Sequence, residues 1–221
     1  MKFIKILRFS LIIFLPFIIF LSVLNFEGLD SSFYTEKFSE YKVYYNINNA
    51  QSLHEKVMNF INGKNNEIPD SFNQREKEHL WDVRNLIKSS RIILYILIAL
   101  FASFLIVLGI TLKVKGYVIN LIGKILLYGG ILTIILAASV IIFINMDFSS
   151  TFESFHRLFF KEGSYSFNPG SEIIVNLYPE GLFRDLGIRI SKYILIVSII
   201  IALIGTFLIS KRKNFSSLKK S

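Results

Sequence analysis

FNQREKEHLWDVRNLIKSSRIILYILI, residues 72–98, joins two kinds of sequence with no break between them. The first half is charged but carries an apolar stripe, because Leu80, Val83 and Ile87 recur at helical spacing. His79 and Asp82 flank that stripe, and Glu76 lies one turn before the histidine. From Ile92 onward the stretch is apolar. Asn73 followed three residues later by Glu76 fits a capping box, which fixes where a helix starts. Nothing after it interrupts the helical pattern. The stretch therefore predicts one helix that begins in water and runs straight into a membrane.

The rest of the chain agrees. Of 221 residues, 52% are hydrophobic and the mean hydropathy is +0.52, which excludes a soluble domain. Four stretches, 9–25, 92–112, 125–145 and 194–210, have the roughly 17–25 residues a crossing needs. Pro16 lies inside the first, tolerable where neighbouring helices cover the freed backbone groups. The basic start of that stretch resembles a signal peptide, but no small-x-small site follows, so it reads as a retained anchor. No acid or histidine lies within the four stretches, which argues against an ion or proton pathway.

Charge orients the chain. Residues 1–8, the short loop with Lys113, Lys115 and Lys124, and the tail from Lys211 hold 11 of the 25 basic residues and no acid. All 16 acids fall in 26–91 and 146–193. The positive-inside rule places both termini and the short loop in the cytoplasm. The net charge of +9 is this asymmetry, not a nucleic-acid footprint. With no cysteine, disulfides, a thiol nucleophile and Cys-ligated metals are excluded.

The expected organisation is an N-terminus with a first transmembrane helix (1–25), a first cap segment (26–91), a helical hairpin (92–145), a second cap segment (146–193), and a fourth helix with a basic tail (194–221). The fold class is a mainly α membrane protein with a small α+β extracellular cap. Residues 41–47, YKVYYNI, are aromatic and β-branched and predict a short strand. Leu53, Val57 and Phe60 predict a helix, with Gly63 just past its end. His54 on that helix, next to Glu55 and Lys56, reads as a surface residue. In the second segment Phe152, His156, Phe159 and Phe160 share a helical face, which points His156 among aromatic rings.

No phosphate loop, nucleophile elbow or His-Glu-x-x-His pair occurs. The residues alone leave His79 open between an acid–base role and a plain pairing with Asp82 beside a helix-capping Glu76. Two other readings stand beside an enzyme. One is a non-catalytic envelope protein that binds a lipid or a partner. The other is a membrane metallohydrolase with His79, His156 and Asp82 or Glu76 as ligands.

FNQREKEHLWDV (72–83) and FHRLFFKEGSYSFNPGSEIIVNLYPEGLF (155–183) together resemble the two signature blocks of the bacterial lipoprotein intramolecular transacylase family. Phe72, Glu76, His79, Asp82 and Val83 match the first; Asn73 and Leu80 depart from it. Phe155, His156, Leu158, Phe159, Phe160, Phe167, Pro179, Glu180 and Phe183 match the second. Tyr165 stands in place of a tryptophan, and Glu172 where aspartate is commoner. The resemblance covers essentially the whole chain. It implies a multi-pass enzyme of the bacterial cell membrane, working at the extracellular face without cofactor or metal. That enzyme moves the sn-2 acyl chain of a diacylglyceryl lipoprotein onto the amine of the same N-terminal cysteine, through a cyclic intermediate. His79 and His156 then become base and acid, in an order the sequence leaves open. Glu76, Asp82 and Arg84 become orienting or supporting residues. Trp81, Phe152, Phe155, Phe159, Tyr165 and Phe167 become the confining wall.

Overall fold

The computed structural model describes residues 2–112, 114–161 and 163–217. Of the basic residues used for orientation, Lys113, Lys219 and Lys220 lie outside the described residues, as do the side chains of Lys115, Arg212 and Lys213. The described residues form helices α1 (Lys2–Glu27), α2 (Ser31–Glu40), α3 (Val43–Asn46), α4 (Ala50–Ile61), α5 (Gln74–Leu112), α6 (Lys115–Met146), α7 (Phe148–Phe159), α8 (Ile174–Leu177) and α9 (Glu180–Ser217). Four of them, α1, α5, α6 and α9, are long and apolar enough to cross a membrane. They contain the four stretches read from the sequence, and α5 is one unbroken helix of 39 residues.

The chain divides into two compact units. The first comprises Met1–Val23, Ile92–Val140 and Ser191–Ser221. Leu7, Leu11, Leu108, Leu121 and Ile125 form one of its cores, with Phe101 and Phe104 packed against them. Lipid tails are as apolar as leucine, so helices here associate by close contact rather than by escape from water. A Cβ on Gly205 of α9 would stand 2.6 Å from the backbone nitrogen of Leu127 on α6. Pro16 has no N–H to return to the carbonyl of Ile12. That oxygen lies 3.3 Å from where a Cβ on Gly129 of α6 would be, so glycine lets α6 cover it. Buried hydroxyls close on their own helices, Thr133 donating to the Gly129 carbonyl and Ser198 to that of Ile194.

The second unit comprises Leu24–Arg91 and Ile141–Ile190. The expected capping box is present: Glu76 accepts the Asn73 N–H at 2.7 Å, and Asn73 Oδ1 accepts the Glu76 N–H at 3.0 Å. Helix α4 ends in a Schellman turn. Gly63 takes φ 78°, and the Lys64 and Gly63 N–H groups bond the carbonyls of Asn59 and Phe60.

The strand expected over 41–47 is absent, and no strand occurs among the described residues. Lys42 adopts φ 55°, and Ile47 N–H closes on the Val43 carbonyl to make the single turn of α3. A lone strand leaves its backbone groups unpaired, whereas one helical turn satisfies them locally while burying Val43. The cap is therefore all-helical among its described residues, a correction to the α+β expectation.

His54 is the second correction. It is fully buried, with Nδ1 2.9 Å from the Tyr178 hydroxyl and Nε2 2.9 Å from Ser31 Oγ. Burial takes its pKa down to about 4. An unfolded histidine titrates near 6.5, so between about pH 6.5 and 4 the unfolded chain binds a proton that the folded chain refuses. Stability from this site is intact above that window and is lost as pH falls through it. His54→Ala removes both hydrogen bonds and opens a hole, at a cost of about 2–4 kcal/mol. Thermal unfolding in detergent at neutral pH measures this, and an unchanged midpoint contradicts it. The mutant also shows a shallower acid loss than wild type.

Candidate active site

His79 sits on α5 before the apolar stretch begins at Ile92, and it is 7% exposed. Its Nδ1 is buried with no hydrogen-bond partner among the described residues. Asp147 caps α7 by accepting the Ser150 N–H, and that helix carries His156, 8% exposed, on its buried face. The two imidazoles stack 6.2 Å apart at 22°. Phe160 lies 4.9 Å and Phe167 5.3 Å from His79; Phe152 lies 4.1 Å and Tyr165 5.0 Å from His156.

Both rings line a cavity of about 420 Å³ lying within the second unit. Leu80, Val83, Leu86 and Ile87 of α5 form one wall, Phe152 and Phe155 of α7 another. Tyr34, Tyr178, Phe183 and the Ile174–Val175 start of α8 complete it. Among the described residues the lining contains no serine, threonine or cysteine.

Burial pushes His79 down to about 4, and nearby His156 adds to the shift. Burial lowers His156 too, opposed by its hydrogen bond to the Phe152 carbonyl. That bond, 2.8 Å from Nδ1, fixes the tautomer. A carbonyl only accepts, so Nδ1 carries the proton and Nε2 presents its lone pair.

The other sequence candidates divide. Phe152, Phe155, Tyr165 and Phe167 line the cavity; Trp81 and Phe159 do not. Trp81 is two residues from His79, about 200° around the helix. It packs edge-on against Phe60 and stacks with Arg84. Phe159 stacks on Phe155 and is half exposed. Glu76 supports the site from behind: beyond the capping box, its Oε1 accepts the Ile174 N–H at 2.8 Å and so ties α8 to α5. Asp82 is exposed and makes no hydrogen bond to His79. Arg84 bonds the Asn65 carbonyl and Asn66 Oδ1, clamping the loop after α4. No group of three potential metal ligands occurs among the described residues, and both oxygens of Glu76 are held by backbone N–H groups.

Sequence reasoning missed Phe160, Phe183, Tyr34, Tyr178 and Glu180 as cavity residues. It also missed what holds Phe167. Glu172 accepts from Arg75 Nε at 3.0 Å, the Asn168 N–H at 2.6 Å and Asn73 Nδ2 at 3.2 Å, and the Arg75 hydrogen bond keeps its pKa low. Arg75 also bonds the Ser166 carbonyl and lies over the Phe167 ring at 5.0 Å. This pair fastens the 166–172 turn beside His79.

Four membrane-length helices mark an integral membrane protein, and its second unit holds a cavity lined by two imidazoles. The family model for lipoprotein intramolecular transacylase Lit matches residues 4–183, and the chain belongs to this family, whose members are acyltransferases. It is similar in fold to the membrane-integral Lit of Bacillus cereus, with a TM-score of 0.80 at 19% identity over 96% of this chain and 98% of that one. Variants of that protein with one histidine changed to arginine or to alanine each match with a TM-score of 0.77 at 18% identity. They cover 94% and 96% of those chains and 96% of this one. No curated protein matches the sequence.

Proposed function

We propose that the His79–His156 cavity binds the diacylglyceryl cysteine of a bacterial lipoprotein, at the extracellular face of the membrane, and moves its sn-2 acyl chain onto the cysteine's own amine. One arrangement supports this reading. Two low-pKa imidazoles from separate helices face one aromatic cavity whose described lining has no serine, threonine or cysteine. The nucleophile is then the substrate amine. It reaches the sn-2 carbonyl through Cα, Cβ, sulfur, two glyceryl carbons and the ester oxygen, a ring of eight atoms. Such rings close reluctantly, and confinement by Phe152, Phe155, Tyr165 and Phe167 supplies the missing proximity.

The protons follow from the tautomers. Nε2 of His156 takes the amine proton as the N–C bond forms. The C–O bond to the sn-2 oxygen then breaks, and that oxygen takes a proton from the pair. The proton held by His156 passes to that oxygen, directly or through His79, whose Nδ1 makes no hydrogen bond among the described residues. Two imidazolium charges at this separation oppose one another, so the pair carries one proton at a time. The proton lost by nitrogen is the one gained by oxygen. Both atoms that exchange the acyl chain belong to the substrate, so no other acyl donor is needed. Asp82 and Arg84 act on the surface around α5 rather than on the rings.

Mass spectrometry of a lipoprotein N-terminus, from bacteria with and without this chain, tests the proposal. The chain should convert the diacylglyceryl form to one with an amide-linked acyl chain and a free sn-2 hydroxyl. An unchanged lipoprotein N-terminus contradicts it.

A further inference from the structure

Pro179 and Glu180 open α9, whose first turn closes through the Leu182 N–H to the Pro179 carbonyl. Glu180 is exposed yet lines the histidine cavity, which puts it at the rim. Among the described residues it is the cavity's only carboxylate, and no lysine or arginine lines the same space. Two of the tyrosine hydroxyls there are already engaged. The Tyr34 hydroxyl donates to the Gly28 carbonyl, and that of Tyr178 is bonded to His54. Glu180 has one hydrogen bond, from the Ser149 hydroxyl, and no ion pair among the described residues. A single anion without a cationic partner faces the reacting groups.

Its distance from the base can be bounded. Ser149, Phe152 and His156 recur on one face of α7. The His156 ring is drawn back along the helix by its bond to the Phe152 carbonyl and packs tilted against Phe152. Ser149 stands one turn further back, about 4.5 Å along the axis. A carboxylate held by Ser149 therefore lies on the order of 5–8 Å from the His156 ring. An amine donating to both groups spans the lower part of that range, at about 2.8 Å per hydrogen bond.

We infer that Glu180 is the counter-ion that receives the α-ammonium of the incoming cysteine beside His156, an assignment that rests on the transacylase reading above. The physical need is clear. An α-amine titrates near 7.7–8.0, so the substrate arrives largely charged at neutral pH. An ammonium buried among aromatic rings without a partner costs several kcal/mol. Glu180 offsets that cost; the ammonium gives its first proton to solvent at the rim, leaving the lone pair for attack and two N–H bonds on nitrogen, and His156 Nε2 takes the second as the N–C bond forms. The product amide carries no cation, so Glu180 favours substrate over product and promotes release.

Binding of two unreactive lipopeptides to the full-length protein in detergent tests this. Both carry a dialkylglyceryl cysteine, ethers replacing the esters so that no acyl chain can move; one has a free amine and the other is N-acetylated. Wild type should bind the free-amine form about 10- to 100-fold more tightly, the range for a hydrogen bond to a charged group. Glu180→Gln should bind both forms alike, with wild-type affinity for the acetylated one, which shows that the cavity survives. An undiminished preference in Glu180→Gln overturns the assignment, as does equal binding by wild type. If Glu180→Gln binds neither form, Glu180→Asp replaces it: a reduced preference with intact acetyl-form binding supports the role, and an unchanged preference overturns it. Wild type that binds neither form overturns the transacylase reading and this assignment with it.

Discussion

His156→Ala and His79→Ala should each lower acyl transfer by about 100- to 10,000-fold, the usual cost of removing a proton-transfer group, and both should leave folded protein. The two substitutions differ in stability. His156 fills a space between Phe152, Phe155, Phe160 and Tyr165 and gives a hydrogen bond to the Phe152 carbonyl. Its loss costs stability. His79 holds a buried Nδ1 with no partner among the described residues, a defect worth about 1–3 kcal/mol. His79→Phe fills the volume without that unsatisfied atom, so it should unfold at least as high as wild type while being inactive. Turnover of a diacylglyceryl lipopeptide and thermal unfolding in detergent read the two effects separately. Turnover near wild type in either alanine variant removes that histidine from the mechanism.

Glu76→Ala has the largest expected effect on stability, about 3–5 kcal/mol. The side chain is 1% exposed, and its two oxygens accept the N–H groups of Asn73 and Ile174. Its loss removes half of the capping box of α5 and strands a buried donor at the start of α8, each worth about 1.5–2.5 kcal/mol. Glu76→Gln should recover little. An amide offers one acceptor oxygen, and its NH₂ would face an N–H donor. Unfolding midpoints and the yield of detergent-soluble protein measure this. A shift no larger than that of an exposed substitution contradicts it. The effect reaches the cavity, because Ile174 and Val175 line it.

What the sequence revealed was what depends on neighbours along the chain. The Asn73–Glu76 box, the Gly63 turn, the Leu80–Val83–Ile87 stripe and the four apolar stretches follow from spacing within a helix. The two histidines were legible only as a pair, through the two motif blocks. Where contacts run across the chain, local reading failed. His54 sits beside Glu55 and Lys56, yet its environment is Ser31, Tyr34 and Tyr178, the last 124 residues away. Residues 41–47 carry strand-forming side chains, but no strand lies among the described residues to pair with them. The Arg75–Glu172 fastening joins residues 97 apart. Trp81 is a different failure: helical geometry about His79 already turns it away from the cavity wall. Glu180 was legible in the Pro179–Glu180 pair, but nothing local connects it to Ser149 and the base.

In the proposed reaction the acyl chain moves within one substrate molecule, between its own ester and its own amine. Purified protein with an equal mixture of two diacylglyceryl lipopeptides measures this directly. One has heavy isotopes in both peptide and sn-2 chain, the other in neither, and no other lipid ester is added. Mass spectrometry of the products should find heavy acyl chains only on heavy peptides and light only on light. Products with mixed labels would contradict the account. They would require an acyl-enzyme or transfer between molecules, and with no cysteine in the chain a histidine, serine or tyrosine of the second unit would have to carry the acyl group.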